Sequence, residues 1–120
     1  MFPKALQELI DAFKVLPGVG QKSALRMALY LLERNQKGAE RLSLALSEAL
    51  LAVKKCDLCR NLTDQTRCVL CQDSERNSEQ LCIVESPGDV FALAKSVAYQ
   101  GYYFVLYGHL SPLDGIGPQE

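Results

Sequence analysis

The chain has 120 residues, 48% of them apolar, with 13 Lys/Arg against 14 Asp/Glu for a formal charge of −1. That length suits one domain with a modest core, and no run approaches the roughly 18 uninterrupted apolar residues that a membrane span requires. Met1-Phe-Pro-Lys4 leads into an amphipathic segment rather than a secretory signal, so a cytosolic protein is expected. The charge is unevenly spread, with 11 Lys/Arg and 7 Asp/Glu through Cys71 but 2 and 7 from Gln72 onward. A basic front half is the better partner for a polyanion.

Taken in chain order, Leu6, Leu9, Ile10 and Phe13 recur at helical spacing, which predicts a helix over Ala5 to Val15. Leu16-Pro-Gly-Val-Gly20 interrupts it, because Pro17 cannot continue a helix and two glycines permit a tight reversal. A second helix is predicted from about Gln21, carrying Ala24, Leu25, Ala28, Leu29, Leu31 and Leu32, with the polar Asn35-Gln-Lys-Gly38 ending it. A third runs from about Ala39 to Lys54, with Leu42, Leu46, Ala49, Leu50 and Val53 on one face. The segment from Cys56 to Cys71 has no periodicity, and a polar linker is expected over Gln72 to Gln80.

The last part changes character. Leu81-Cys-Ile-Val84 suits a buried strand, Glu85-Ser-Pro-Gly-Asp89 a turn with Ser86 or Asp89 free to cap a helix, and Val90 to Ala98 a helix. Tyr102 to Tyr107 reads as a second strand, so a βαβ unit with parallel pairing is expected. Gly108 to Glu120 reads as loop. Two parallel strands make a poor isolated sheet, so the chain is expected to be truncated.

Three constellations carry chemistry. Cys56-Asp-Leu-Cys59 and Cys68-Val-Leu-Cys71 are two Cys-x-x-Cys turns, each able to place two sulfurs on one tetrahedral zinc ion. Four protein ligands make such a site structural, and Lys54, Lys55, Arg60 and Arg67 would offset its negative charge. The competing readings are a redox pair or a disulfide cluster, but neither motif sits at a strand-to-helix junction as a thioredoxin-type dithiol does. The fifth cysteine, Cys82, is expected to be a small core residue.

The Gly18-x-Gly20 hairpin would present backbone N–H groups at the start of the next helix, where the dipole favours an anion. Lys22 and Arg26, four apart, share a face there. The pattern reads as a helix-hairpin-helix phosphate clamp for sequence-neutral DNA binding, with an ordinary solvated basic face as the alternative. Glu85, at the end of a predicted strand, stands where parallel sheets place functional groups, and could equally be a polar turn residue. His109, the one histidine, has no evident catalytic partner.

In this order the hairpin, the cysteine quartet, Ile83-Val-Glu85 and Leu110-Ser-Pro-Leu-Asp-Gly-Ile-Gly-Pro118 resemble the RecR family of bacterial recombination mediators along essentially the whole chain. The resemblance implies an α+β chain in three parts: a helix-hairpin-helix region over 1–55, a four-cysteine zinc finger over 56–71, and the incomplete start of an α/β Toprim domain over 80–120. It implies a non-enzymatic, cytoplasmic protein of recombinational DNA repair. Such a protein binds single- and double-stranded DNA, assembles as a homo-oligomeric ring, and acts with RecO and RecF to load RecA on single-stranded DNA. It implies that Gly18, Gly20, Lys22 and Arg26 contact DNA and that Glu85 serves partner binding, chiefly to RecO. Family members are longer, and the second acidic Toprim motif has no counterpart here.

Two other readings remain. A Toprim-type nuclease, primase or topoisomerase would need several convergent carboxylates for Mg²⁺, and the sequence offers Glu85 with only the distant Asp114. A zinc-stabilised interaction module would use the hairpin only for oligomerisation.

Overall fold

The computed structural model describes residues 1–96 and 98–108. His109, Asp114 and the Leu110 to Pro118 segment lie outside the described residues. The chain divides into two compact units, Met1–Leu50 and Leu51–Glu120.

In the first unit, helix α1 spans Lys4–Phe13 and helix α2 spans Gln21–Arg34. Both follow the apolar spacing. Ile10 is fully buried against Ala24 and Ala28, and Leu6, Leu9, Phe13, Val19 and Leu25 pack around them. Two alanines let the helices approach closely, so one isoleucine fills the space between them. The reversal runs through Gly18 at φ 78°, a left-handed conformation that glycine adopts without steric cost. Val19 N–H then donates to Leu16 O at 3.2 Å to close the turn.

Helix α3 spans Gln36–Ala52 and starts three residues earlier than the sequence suggested. Only Asn35 leaves helical geometry, at φ −152° and ψ 62°. Its Oδ1 accepts from Gly38 N–H at 2.9 Å and its carbonyl from Ala39 N–H at 3.0 Å. A Cβ at residue 38 would run into that amide, so Gly38 is the close-approach residue of a cap rather than a helix terminator. The apolar face expected of α3 is present but uncovered: none of its residues is buried, and Leu42, Leu46 and Leu50 are exposed.

The second unit opens with an antiparallel ribbon, β1 (Lys54–Lys55) against β2 (Leu62–Thr63), followed by the short helix α4 (Val69–Gln72). Strand β3 spans Asn77–Val84, so the expected linker is partly strand. Arg76 accounts for this difference. Its Nη1 donates to Gly101 O at 3.0 Å, and the pairing Asn77↔Gly101 precedes a register shift before Leu81↔Tyr102.

Helix α5 spans Pro87–Ala94 and strand β4 spans Gly101–Val105, parallel to β3 as the βαβ reading requires. The helix begins inside the expected turn and ends before Ala98. Pro87 at its first position is preorganised for a helix, and Ser86 with Asp89 forms a reciprocal capping box in which Ser86 N–H donates to Asp89 Oδ2 at 3.2 Å. Ser86→Ala should therefore cost about 1 kcal/mol, read as a lower urea midpoint with an unchanged slope.

The core of this unit is Val84, Val90, Tyr103 and Val105, with Cys82 and Tyr99 packed against it. Cys82 is half-buried there, as its apolar setting suggested. Alternate residues of β4 are buried, while Leu81 and Ile83 of β3 are exposed, so α5 covers one sheet face only. No helix among the described residues is long and apolar enough to cross a membrane.

Candidate metal centre and helical hairpin

The two Cys-x-x-Cys turns converge. The Sγ atoms of Cys56, Cys59, Cys68 and Cys71 all lie within 4.8 Å of one another, and Cys59 to Cys68 is 3.6 Å. Four sulfurs at about 2.3 Å from one tetrahedral zinc stand about 3.8 Å apart, so the quartet fits that ion. The first turn is a tight knuckle. Arg60 N–H donates to Cys56 O at 2.9 Å, Cys56 N–H to Asn61 O at 2.7 Å, and Asn61 N–H to Cys59 Sγ at 3.4 Å. Cys68 N–H donates to Cys56 Sγ at 3.3 Å, tying the second turn to the first. Such N–H···S contacts orient ligands and favour the thiolate.

The electrostatics fit a cation among the sulfurs. Burial pushes the Cys56 thiol up, but backbone N–H groups of Cys59, Cys68 and Leu58 outweigh it and hold that group at about 6. Cys59 is pushed up to about 11 and Cys71 further still, first by burial and then by neighbouring cysteines. A divalent ion at the centre reverses that mutual repulsion and stabilises every thiolate.

The ribbon is joined to the βαβ unit rather than appended to it. Val105 N–H donates to Cys59 O at 2.9 Å, and Tyr107 Oη donates to Arg60 O at 2.6 Å. Leu70, inside the second turn, packs against both the cysteine cluster and the sheet core. Neither Leu70 nor Tyr107 stood out in the sequence, because both contacts span chain distances that no local pattern encodes.

In the first unit, Gly20 is the N-cap residue of α2, with no side-chain cap and no acidic residue in the first turn. A Cβ at Gly18 or Gly20 would meet nothing within 4 Å, so the space beside the two hairpin glycines is open. Lys22 and Arg26 are exposed on this helix, and neither joins a salt bridge among the described residues. A groove of about 410 Å³, lined by Leu9, Phe13, Leu16, Leu31, Leu42 and Leu46 among others, runs between the three helices. Glu85 is exposed directly after β3, in the capping turn of α5. The hairpin residues belong to the other unit.

Helical hairpin, four-thiol ribbon and parallel βαβ unit define a helix-hairpin-helix protein with a cysteine ribbon and the opening of a Toprim domain. The family model described as "RecR, helix-hairpin-helix" matches residues 6–50, and that described as "Toprim domain" matches residues 79–120. The chain belongs to the RecR family. It is 52% identical over 120 residues to Recombination protein RecR of Saccharophagus degradans, covering all of this chain and 61% of that protein. It is 56% identical over 118 residues to the protein of the same name from Pseudomonas syringae pv. tomato, covering 98% and 58%. With the one from Xanthomonas euvesicatoria pv. vesicatoria it shares 53% over 115 residues, covering 96% and 58%. The chain thus spans about three fifths of the length of the curated relatives it matches, at 61% and 58%.

Proposed function

We propose that this chain is the DNA-gripping, zinc-braced part of a recombination mediator in bacterial DNA repair, acting in the cytoplasm with RecO and RecF to help load RecA on single-stranded DNA. The observation that carries this reading is the hairpin: an uncapped α2 N-terminus behind two glycines, with Lys22 and Arg26 exposed on the same helix. Backbone N–H groups and the helix dipole hold one phosphate, and the two side chains reach its neighbours. None of these groups reads a base, so the grip is sequence-neutral and serves single- and double-stranded DNA alike.

One structural zinc on Cys56, Cys59, Cys68 and Cys71 supplies a rigid cross-link when bound, with no open position for chemistry. Glu85 serves as a contact for a protein partner, chiefly RecO, rather than as a catalytic acid. Phosphoryl transfer on a Toprim frame needs convergent carboxylates, and the one ligand-like cluster among the described residues is the thiol quartet. The uncovered α3 face and the 410 Å³ groove support self-association into a ring. The relatives named Recombination protein RecR support the repair assignment.

The test is the salt dependence of DNA binding. Lys22→Ala with Arg26→Ala should weaken duplex binding and lower the salt slope by roughly 1.8, at about 0.9 per lost phosphate contact. A double variant that tracks the parent through the whole salt series would remove the clamp. Any Mg²⁺-dependent cleavage or primer synthesis that disappears with Glu85→Ala would instead make the protein an enzyme.

A further inference from the structure

We propose that the cysteine ribbon carries a second phosphate-binding surface, formed by Lys55 and Arg60 held around the ring of Tyr107. This rests on the reading of the chain as a DNA-binding protein, but it uses none of the hairpin residues.

The starting observation is strain. Among the described residues, Arg60 at φ 68° and Tyr107 at φ 59° are the non-glycine residues with positive φ. They are 47 positions apart in sequence, yet Tyr107 Oη donates directly to Arg60 O at 2.6 Å. The knuckle explains why position 60 is left-handed, since its N–H must turn back to Cys56 O at 2.9 Å. It does not explain arginine, because glycine makes that turn without steric cost. A side chain retained where glycine is the natural fit points to a use for that side chain.

Its surroundings show the use. The Arg60 guanidinium lies 5.2 Å from the centroid of the Tyr107 ring and 5.8 Å from that of Phe104, while Lys55 Nζ lies 4.0 Å from the Tyr107 ring. Two cations thus share one aromatic holder that is itself fixed by a hydrogen bond. Neither is neutralised: among the described residues no carboxylate pairs with Lys55 or Arg60, whereas Arg67 of the same ribbon is paired with Asp57 at 3.1 Å. Two unpaired cations gathered on one ring favour an anion that joins them. With Lys55 against its ring, Tyr107 positions charge rather than offering an open face to a base. The planar Arg60 fork and the Lys55 point charge suit the oxygens of a nucleic-acid backbone. The surface therefore adds affinity and salt dependence without adding sequence preference.

The competing role for these charges is to offset the thiolates, so the test reads metal and DNA separately. It uses the full zinc-loaded chain, a labelled oligo(dT) strand and a labelled duplex, each across a potassium chloride series. Lys55→Gln with Arg60→Gly keeps the knuckle turn and removes both cations. We expect zinc to be retained, affinity to fall several-fold, and the salt slope to drop by roughly 1.4 on the single strand and 1.8 on the duplex. Tyr107→Leu leaves both charges on the ribbon and removes their holder, so it should weaken binding with zinc in place.

Parent-like affinity and slope in the ribbon double variant with zinc retained would overturn the proposal. If that variant sheds zinc, Tyr107→Leu decides, and parent-like binding by it is the overturning result. Lys22→Ala with Arg26→Ala is run alongside. Weakening there but not in the ribbon variants removes this inference and leaves the hairpin reading standing; a parent with no salt-dependent binding removes both.

Discussion

With zinc on the cysteine quartet as proposed, stripping it with a chelator is expected to release the ribbon and the end of the sheet together, while α1 and α2 keep their structure. Structural zinc sites contribute apparent free energies of about 10–16 kcal/mol in small zinc peptides, comparable to or larger than the roughly 5–15 kcal/mol that keeps an ordinary domain folded. The residues between Cys59 and Cys68 are mostly polar and exposed, and supply little core of their own. Val105 N–H donates to Cys59 O, so β4 loses an anchor when the knuckle opens. The α1–α2 core of Ile10, Ala24 and Ala28 belongs to the other unit and makes no use of the metal. Hydrogen exchange read by mass spectrometry checks this: peptides over 54–72 and 101–106 should lose protection on metal removal, and those over 4–34 should not. Unchanged protection at Val105 in the metal-free protein would show that the ribbon stands without its ion. Cys59→Ser should reproduce the metal-free pattern, since it removes a ligand whose carbonyl also carries β4.

The second large effect is expected from Ile10→Ala. Ile10 is completely buried against two alanines, and the larger side chains packed around it, Leu6, Leu9, Phe13, Val19 and Leu25, are only partly buried. Truncation of a buried isoleucine costs about 2–5 kcal/mol, toward the upper end where the surroundings cannot collapse. For a helical pair with so small a core, that is much of its stability. Urea unfolding followed by helical circular dichroism should show a large fall in midpoint, and DNA affinity should fall with it because the α1–α2 packing fixes the hairpin. Leu50→Ala provides the contrast. Leu50 is 78% exposed, so in the monomeric chain its loss should change stability by no more than about 0.5 kcal/mol. A comparable loss from both substitutions would mean that α3 is covered in solution by another copy of the chain.

The sequence was most informative where structure depends on local chemistry. The 3.6-residue spacing of Leu6, Leu9, Ile10 and Phe13, the break at Pro17 and the two cysteine pairs each act over a few residues, and the structure has the helices, the reversal and the sulfur cluster they imply. The parallel pairing of β3 and β4 followed from strand–helix–strand spacing. What escaped depends on partners distant in the chain. Asn77 to Gln80 read as linker because their side chains are polar, yet Arg76 and the backbone of Gly101 draw Asn77 into a strand. Asn35-Gln-Lys-Gly38 read as a polar break; α2 does end there, but only Asn35 lies between the helices and Gly38 makes room for its cap inside α3. The apolar stripe of α3 was correctly seen as a face, but periodicity does not say whether anything covers it. Arg60 was visible as a charge near the cysteines, while its left-handed backbone and its bond to Tyr107 were not.

Leu70 sits in two cores at once, one of sulfur and one of hydrocarbon. A residue counted in both makes them a single foldon, so residues 54–106 should melt in one transition rather than two. Mutational tolerance should follow the same boundary: a substitution at Val84 or Val90 that loosens the sheet should be felt as weaker retention of the proposed zinc, although neither residue belongs to the cysteine cluster. A change at Leu70 therefore disturbs the sheet and the sulfur cluster together.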